Sequence, residues 1–356
     1  MEKFYVLDSD DPLQYNQWIS IWQNWGSCEV FAHPEYVRIF TRKCDSALCA
    51  VQESIAGLIM LPMILRPIAA EVWADENYYY DVVAPYGYGG PYVSGSYDME
   101  KFWLEFTRWA AQKKVISSFF RLSPFAADIR GFVDIVEPCG GVVIRSLVEG
   151  KEEIWRNFKH SVRTCVRCAE QAGLTVEFDA HGERSDDFIR IYYQTMKRLN
   201  ASQWYFFPHH FFDNIVLKLA GQFVFGHVMY QGDIIASKLI LLSQERIYPF
   251  LGGSDNKFMD FNPNQILDTQ IFYWGIDHGK KSCVLGGGYD GQEDGVFQYK
   301  KKFAPSGVIP YIIGKHIFDK STYFNLCKKR RQYEVNNGNA WNSETVFFPA
   351  YRTKDD

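Results

Sequence analysis

Two glycine-rich stretches in the second half of the chain could place bare backbone next to a ligand. The first is Tyr248-Pro-Phe-Leu-Gly-Gly-Ser254, and the second is Leu285-Gly-Gly-Gly288. Both read as short strands that end in glycine, and a segment with helical periodicity lies between them, beginning at Asn262-Pro-Asn264. Because glycine has no side chain, backbone N–H groups at these strand ends can approach a substrate carbonyl closely. The alternative is that the glycines only form turns.

A tyrosine-rich stretch in the first half could form the wall of a binding groove. Residues 78–91 read Tyr-Tyr-Tyr-Asp-Val-Val-Ala-Pro-Tyr-Gly-Tyr-Gly-Gly-Pro, a strand followed by a glycine and proline loop. Tyrosines such as Tyr86 would supply stacking faces and hydroxyl groups. Asp81 would supply a fixed negative charge that could orient an amine or accept its proton. The alternative is a strand that leads into a tight connection.

A basic segment lies near the middle of the chain, where the periodicity predicts one helix over residues 154–174. It carries these basic residues: Arg156, Lys159, His160, Arg163 and Arg167. Such a run forms either a solvated helix face or a face that contacts an anion. The same segment contains Cys165 and Cys168, but neither a second cysteine pair nor a neighbouring histidine pair accompanies them. No metal site is therefore predicted.

The elements that position these stretches occur twice in the same order. Residues 51–61 and 230–241 match as an apolar strand, a polar turn and a second apolar strand, and an aromatic strand ending in glycines follows each hairpin. Helical periodicity precedes both hairpins. We interpret the repeat as a duplication and predict an α/β fold with a mixed sheet. The predicted domains are 1–148 and 149–356, the second ending in a helical tail.

Composition limits the classes of function. The chain has 356 residues, of which 47% are hydrophobic, and a formal net charge of −4. This predicts a packed globular protein without an overall attraction to nucleic acid. The N-terminus lacks the basic and apolar regions of a signal peptide, and the longest apolar run, 55–65, is shorter than the roughly 20 residues that span a bilayer. We expect a cytoplasmic protein with no membrane span, and the oligomeric state is left open.

Together the motifs resemble those of the FemAB-like acyltransferases, which are tandem versions of the GNAT acyltransferase fold. The resemblance covers about residues 30–315 and rests on these stretches: Tyr192-Tyr-x-Thr-Met-x-Arg198, Gly226-His227, Ala236-Ser237, 248–254, 262–264, 285–288 and 297–303. It implies two GNAT-like domains with a groove between them. It also implies transfer of an activated acyl or aminoacyl group to an amine, usually on a cell-envelope precursor such as an amino sugar, a nucleotide-linked sugar or a peptidoglycan peptide.

The resemblance also assigns roles to individual residues. Lys300 follows Tyr299 in the position of the family's aromatic–lysine pair, and we expect it to stabilise negative charge on the reacting carbonyl or on a donor phosphate. Asp81 is the candidate for accepting or orienting the amine's proton, and transfer without a protein base is the alternative. Contacts with the substrates are predicted at these residues: Tyr86, Arg198, Tyr205, Tyr248, Leu251, Gly252, Gly253, Ser254, Asn264 and Gly287.

The acyl donor is left open between acyl-coenzyme A and aminoacyl-tRNA, and no tightly bound cofactor is expected. The GNAT phosphate loop, Gln/Arg-x-x-Gly-x-Gly/Ala, is absent where the helix at 262–266 begins. A long heptad insertion, which forms a coiled-coil arm in some tRNA-using relatives, is absent as well. A different class of function also fits the sequence, namely a non-catalytic two-lobed protein that binds an envelope precursor or RNA.

Overall fold

The computed structural model describes residues 3–75, 78–125, 132, 135–342 and 347–353. The strands in this part of the chain are β1 (Lys3–Asp8), β2 (Ser46–Glu53), β3 (Gly57–Pro67), β4 (Tyr80–Val83), β5 (Tyr92–Gly95), β6 (Val115–Arg121), β7 (Ile135–Ser146), β8 (Thr175–Asp179), β9 (Phe223–Tyr230), β10 (Asp233–Leu242), β11 (Arg246–Ser254), β12 (Ser282–Gly286) and β13 (Val308–Ile317). The α-helices are α1 (Pro12–Asn24), α2 (Pro34–Ile39), α3 (Met99–Gln112), α4 (Lys151–Asn157), α5 (His160–Gln171), α6 (Ser185–Arg198), α7 (His209–Lys218), α8 (Pro263–Asp277), α9 (Gly295–Lys301) and α10 (Lys320–Asn336).

Several helices begin where a short acidic side chain binds the first backbone N–H groups. Asp11 accepts hydrogen bonds from the backbone of Leu13 and Gln14 and is followed by a proline, whose fixed φ suits the first turn. Asp98, Asp294 and Asp319 cap α3, α9 and α10 in the same way. Local side-chain capping therefore fixes where these four helices begin.

The chain forms two compact units. The first comprises Met1–Gly26, Phe31–Cys139 and Tyr311–Asp356. Its strands are ordered β1-β2-β3-β4-β6-β13, and β5 pairs with β3. All of these neighbours are antiparallel except β4 and β6, which are parallel. Phe102 and Phe106 of α3 are fully buried in the core against this sheet.

The second unit comprises Ser27–Val30 and Gly140–Pro310. Its strands are ordered β7-β12-β11-β10-β9-β8, and here β11 and β12 are the parallel pair. Apolar residues of α5 and α8, such as Val166 and Leu267, are buried in one core with β9 and β10. The sheet contacts α6 through β10 and β11. A mixed α/β architecture is thus present in both units, as the sequence predicts.

The internal repeat is confirmed by the order of the elements. From β8 to β12 the second unit runs strand, two helices, hairpin, strand, helix and strand. The first unit has the same order from β1 to β6, with one additional strand, β5, between β4 and α3. The hairpin β2–β3 corresponds to β9–β10, and β4 corresponds to β11. Sequence similarity between two short segments therefore reflects a duplicated unit.

Two details of the predicted organisation differ from the structure. The tail 311–356 packs within the first unit, because β13 pairs with β6 and Tyr323 of α10 is buried beside Tyr351, whereas the sequence placed this tail in a second domain 149–356. The single helix predicted over 154–174 is two helices, because Phe158 and Lys159 adopt extended backbone with ψ near 145°.

Within the described ranges, no helix combines the length and the apolar character needed to cross a membrane.

Candidate functional site

The strands β11 and β12 diverge soon after they meet, and the divergence opens the second unit's sheet. Their parallel pairing consists of Arg246 with Ser282 and Ile247 with Cys283, and within the described residues it does not extend further. Beyond these pairs β11 continues to Ser254 and β12 to Gly286. Along their glycine-ended parts, the two strands therefore do not pair with each other.

The corresponding strands of the first unit stay together. Four residues of β4 pair with β6, from Tyr80 to Val83, and the contact continues through a bridge between Gly89 and Leu122. The N–H of Gly89 also binds the Arg121 carbonyl. Of the two copies, the second is therefore the one with an opened parallel pair.

Gly252 directs its backbone toward this opening. The N–H of Asp255 donates to the Ile235 carbonyl of β10, so by strand alternation Gly253 also faces β10 whereas Gly252 and Ser254 face the opposite edge. Gly252 is partly exposed, while Leu251, Gly253 and Ser254 are buried. Of these four predicted contact residues, Gly252 is the one placed to meet a ligand with its backbone.

Gly253 and Ser254 have structural roles that the sequence did not indicate. A Cβ on Gly253 would lie 2.5 Å from the Thr195 hydroxyl oxygen and 2.8 Å from the Ile191 carbonyl, so this glycine permits close packing of α6. The Ser254 N–H donates to Thr195 Oγ1 at 3.0 Å, and its carbonyl accepts from Arg198 Nη1 at 3.0 Å. The strand end is therefore held by α6, and this N–H is not available to a substrate carbonyl.

The residues at the open end of β11 form a small polar and aromatic group. Asn264, at the start of α8, donates a hydrogen bond to the Ser254 hydroxyl at 3.3 Å. Tyr205, in the 3₁₀ turn after α6, has its ring centroid 6.3 Å from that of Tyr289, which follows β12 and is 61% exposed. The structure thus brings Arg198, Ser254 and Asn264 together and places Tyr205 against the loop that follows β12.

Lys300 of α9 extends its ammonium to the residue that follows β12. Its ammonium donates to the Gly287 carbonyl at 2.6 Å, and among the described residues this neutral oxygen is its hydrogen-bond partner. Burial lowers the pKa of Lys300 to about 8, assisted by the like charge of Lys238 and opposed by Asp268 and Asp294. A partly buried cation without a direct carboxylate partner is suited to binding negative charge that a ligand brings or develops.

A buried polar network beside Lys300 was missed by the sequence analysis. Asp268 of α8 is 1% exposed, and its carboxylate accepts hydrogen bonds from Lys238 of β10 and, at 2.7 Å, from the Tyr299 hydroxyl of α9. Lys238 crosses directly over Gly252, because a Cβ on that glycine would lie 2.7 Å from Lys238 Cγ. A signal was present at Lys238, which interrupts the largely apolar segment 234–242, because a buried charge requires a partner.

The prediction that Asp81 handles the amine's proton is wrong. Asp81 is 0% exposed and forms ion pairs with Arg66, at 2.7 Å, and with Arg352, and it also accepts from the Tyr351 hydroxyl. Burial alone would raise the pKa of the Asp81 carboxyl, but the two guanidinium groups overcome this effect and hold the pKa below its ordinary value. This carboxylate is a structural anchor for the C-terminal segment of the first unit.

Tyr248 is also structural. Its side chain is 3% exposed, and its hydroxyl donates to the buried carboxylate of Glu29 at 2.7 Å. Glu29 also accepts from Ser243 and Arg246, so these contacts hold residues 27–30 in the second unit. Tyr248 cannot contact a substrate from this position.

Tyr86 lies in a loop of the first unit that three tyrosines hold in place. The hydroxyls of Tyr36, Tyr311 and Tyr92 donate to the carbonyls of residues 86, 87 and 88 at 2.7, 2.8 and 2.6 Å. The Tyr86 side chain is half-buried, and burial raises the pKa of its phenol while Arg121 opposes the rise. These bonds hold the backbone of the loop, and contact between Tyr86 and a substrate remains a prediction.

Three arginines of the basic segment contact groups of the same segment. Arg156 pairs with Glu153, Arg167 lies over the Trp155 ring, and Arg163 donates to the carbonyls of Arg156 and Phe158. These contacts favour a solvated structural face over an anion-binding one. Among the residues with described positions, no group of histidine, cysteine and acidic side chains could hold a metal ion.

Comparisons with known proteins agree with this geometry. Residues 156–301 match the family described as an acetyltransferase (GNAT) domain. The matched segment includes β11, α8, β12 and α9. No curated protein matches the chain by sequence. The match confirms the predicted acyltransferase class, and it lies in the unit whose parallel strands diverge.

Solved structures share the fold at low sequence identity. The crystal structure of FemX has 12% identity and a TM-score of 0.66, covering 87% of this chain and 98% of its own. The C-terminal domain of an Agrobacterium fabrum protein with a proposed lysylphosphatidylglycerol synthetase activity has 13% identity and a TM-score of 0.54, covering 86% and 94%. A conserved protein of unknown function from Bacteroides thetaiotaomicron has 11% identity and a TM-score of 0.53, covering 80% and 88%. The predicted resemblance to FemAB-like tandem GNAT proteins is confirmed at the level of the fold.

Proposed function

We propose that this acyltransferase moves an ester-activated acyl or aminoacyl group, such as that of an aminoacyl-tRNA, to an amine of a cell-envelope precursor. The reacting carbonyl would enter the opening between β11 and β12 and meet the Gly252 N–H. Lys300 would face the charge that develops on the carbonyl oxygen. The acceptor class follows from the resemblance to FemAB-like proteins, and the site itself is argued from the geometry of the second unit.

The observation that carries this proposal is the environment of the Lys300 ammonium, which has no carboxylate as a direct partner among the described residues. The ammonium has a neutral carbonyl as partner, although the Asp268 carboxylate lies close enough to influence it electrostatically. A buried cation that is not paired with an anion is unfavourable in the free protein, and it becomes favourable when an oxyanion forms beside it. Stabilisation that appears mainly in the transition state accelerates the chemical step.

The bond changes are those of ester aminolysis. The acceptor nitrogen attacks the ester carbonyl, a C–N bond forms, and the tetrahedral intermediate places negative charge on the former carbonyl oxygen. Collapse breaks the C–O bond, and the proton lost by the nitrogen is transferred to the departing alkoxide oxygen. Asp81 is buried, and Asp294 caps α9 through the N–H of Phe297 and also accepts from the N–H of Tyr289 in the preceding loop. We therefore propose that this proton passes between the substrates without a carboxylate base.

The start of α8 does not fit the diphosphate of coenzyme A. A phosphate cradle needs several free backbone N–H groups at a helix N-terminus. Here the first helical residue is Pro263, which has no N–H, and the N–H of Gln265 already binds the Asn262 carbonyl. The preceding residues form a 3₁₀ helix, and the segment carries the carboxylates of Asp255 and Asp260, which repel phosphate. These features support an oxygen-ester donor, and not the thioester acyl-coenzyme A, as the source of the acyl group.

A product assay with matched variants tests the function. The purified chain would be incubated with aminoacyl-tRNAs or with acyl-coenzyme A, together with amino sugars, nucleotide-linked sugars and muropeptides, and amide products would be identified by mass spectrometry. Lys300→Met should reduce the rate by about 100-fold or more, the usual effect of losing one oxyanion donor. Lys302→Met, on an exposed lysine at the end of the same helix, should leave the rate unchanged.

The outcomes are distinguishable. Products with charged tRNA alone would support the donor assignment, and products with acyl-coenzyme A alone would overturn it while leaving the acyltransferase class intact. Binding of an acceptor without any product would favour the non-catalytic alternative. Equal rates for the Lys300 and Lys302 variants would remove Lys300 from the mechanism.

A further inference from the structure

Helix α10 of the first unit carries an exposed row of basic and apolar side chains. Successive members of the row are four, four, three and four residues apart, which places them on one side of an α-helix. All of them are exposed, and the two apolar members, Phe324 and Val335, are 65% and 57% exposed. We call this row the α10 stripe, and it consists of Lys320, Phe324, Lys328, Arg331 and Val335.

A different side of α10 is fixed in the core of the first unit. Three of its residues are buried in one cluster with Trp73, namely Tyr323, Leu326 and Cys327. The Tyr323 hydroxyl also accepts a hydrogen bond from the N–H of Ala350 at 3.0 Å. The helix therefore has one rotation about its axis, and in that rotation the stripe faces solvent.

The charge of α10 is one-sided. The helix contains five basic residues and one acid, Glu334, in a chain whose formal net charge is −4. Glu334 is 4% exposed, pairs with Arg330 and accepts from the side-chain amide of Asn339, so it does not neutralise the stripe. Lys329 pairs with Asp75. Among the described residues, the three basic members of the stripe have no ion-pair partner.

A cavity of about 320 Å³ opens beside the stripe, where α10 meets Ala74 and Tyr79. Residues of α10 line it with hydroxyl, amide and ammonium groups, namely Thr322, Asn325, Lys328 and Lys329. Such donors bind the oxygens of a phosphate group. Since Asp75 neutralises Lys329, the unpaired positive charge at this cavity is that of Lys328, which also belongs to the stripe.

We propose that the α10 stripe is a docking surface for an anionic lipid bilayer. Phe324 and Val335 enter the interfacial layer, and the basic members of the stripe lie against lipid phosphates. Helices that lie in a bilayer interface combine apolar side chains, which leave water, with basic side chains, which are attracted to anionic headgroups. The contact is peripheral and requires no membrane span. It concerns the first unit alone and does not rest on the proposed acyl transfer.

The apolar members of the stripe favour a bilayer over an RNA as the partner. An RNA backbone is bound by basic and polar side chains, and aromatic rings add stacking on exposed bases. Val335 cannot stack on a base, but its aliphatic side chain is stabilised when it leaves water at the acyl-chain boundary. Phe324 lies one helical turn from both Lys320 and Lys328, so apolar and charged groups alternate along the stripe.

Flotation of the full-length chain with lipid vesicles tests this proposal. The wild type should bind vesicles of phosphatidylcholine with about one-third phosphatidylglycerol, and it should not bind vesicles of phosphatidylcholine alone, because the headgroup attraction is electrostatic. Removing two charges in Lys328→Gln/Arg331→Gln should weaken binding by about 25-fold, about fivefold for each charge. Phe324→Ala should weaken it by about fivefold, because less apolar area leaves water.

A matched control removes the same charge elsewhere. Lys113→Gln/Lys218→Gln changes two exposed lysines at the ends of α3 and α7, and it should bind vesicles as the wild type does. Thermal unfolding of each variant checks folding, which substitutions at exposed positions should leave intact. If the first double variant does not fold, Lys320→Gln/Arg331→Gln removes the same charge from the stripe.

Three results would overturn the proposal. One is a wild type that stays unbound with anionic vesicles, and another is equal binding by the stripe variant and its control. The third is binding that Phe324→Ala leaves unchanged, because the contact would then be purely electrostatic. A wild type that binds tRNA but no vesicles, with tRNA binding lost in Lys328→Gln/Arg331→Gln, would make the stripe an RNA surface. Since the vesicles contain no acyl donor or acceptor, these results are independent of the transfer assay.

Discussion

The guanidinium of Arg198 donates to the carbonyl of Ser254 across 3.0 Å and so joins the last turn of α6 to the end of β11. This bond fixes the end of β11. Gly252, two residues before Ser254, faces the opening. The Ser254 N–H is held from the same helix by Thr195. The geometry of the open edge thus depends on a helix on the opposite face of the sheet from Lys238.

Replacing Arg198 should affect transfer more than stability. Arg198→Met removes one hydrogen bond to an exposed arginine, so the free energy of unfolding should fall by only about 1 kcal/mol. The rate should fall about tenfold, because small displacements in a site cost large factors in rate. Arg190→Met, an exposed arginine on the same helix, is the matched control. Equal rates in the two variants would show that the strand end is held without Arg198.

The pH dependence of transfer should carry the signature of Lys300. The pKa of this group in the folded chain is about 8, below the ordinary 10.5, so the ammonium form is present below pH 8 and is lost as the pH rises through that value. The value of kcat/KM, which reports ionisations of the free enzyme, should decline over the same range, and its measurement between pH 6 and 10 checks this. A rate that keeps rising to pH 10 would exclude a required ammonium at Lys300.

The lowered pKa of Lys300 also makes the free energy of unfolding depend on pH. Between pH 8 and 10.5 the unfolded chain binds more protons at this residue than the folded chain does, so Lys300 contributes stability that increases with pH across that window. In Lys300→Met this contribution disappears. The difference in urea midpoint between wild type and variant should therefore change with pH above 8 and stay constant below it.

Asp81→Asn should destabilise the first unit without changing the chemistry. It leaves Arg66 and Arg352 without their buried counter-ion, which costs about 3–5 kcal/mol in comparable cases. The rate per folded molecule should remain within about twofold of wild type, because Asp81 lies in the core of the first unit. Urea unfolding combined with the transfer assay checks both statements, with the exposed Asp75→Asn as control. A large loss of rate in a stable variant would restore Asp81 as a catalytic residue.

Adjacent glycines of β11 should respond differently to alanine. At Gly253 the added Cβ meets Thr195 and the Ile191 backbone, which cannot move without shifting α6, so a loss of about 1–3 kcal/mol is expected. At Gly252 it meets the flexible Lys238 side chain, so folding should be little affected while Lys238 and the titration of Lys300 are disturbed. Thermal unfolding and the pH dependence of the transfer rate separate the two effects. Similar destabilisation of both variants would show that Gly252 also has a packing role.

Much of this protein could be predicted from local patterns. Helix caps such as Asp98, apolar hairpins and glycine-ended strands depend on residues close in sequence, so the element order, the duplication and the acyltransferase resemblance were accessible. Lys300 and Gly287 were both singled out, but not as partners of one hydrogen bond. Spacing alone cannot show which two groups meet across thirteen residues.

Other conclusions required the tertiary structure, because they depend on which charges become buried together. Asp81 looked like an accessible acid until Arg352, 271 residues later, proved to neutralise it in a dry core. Lys238 and Asp268 are 30 residues apart, and only the packing of α8 over β10 joins them in an ion pair, with the Tyr299 hydroxyl on the second carboxylate oxygen. The sequence by itself determined the two glycine-ended strands β11 and β12 and singled out Lys300, because each of these features depends on residues that are close together in the chain. Only the tertiary structure shows that β11 and β12 diverge in the second unit while β4 and β6 of the first unit stay paired, because strand pairing and burial are properties of the assembled sheet.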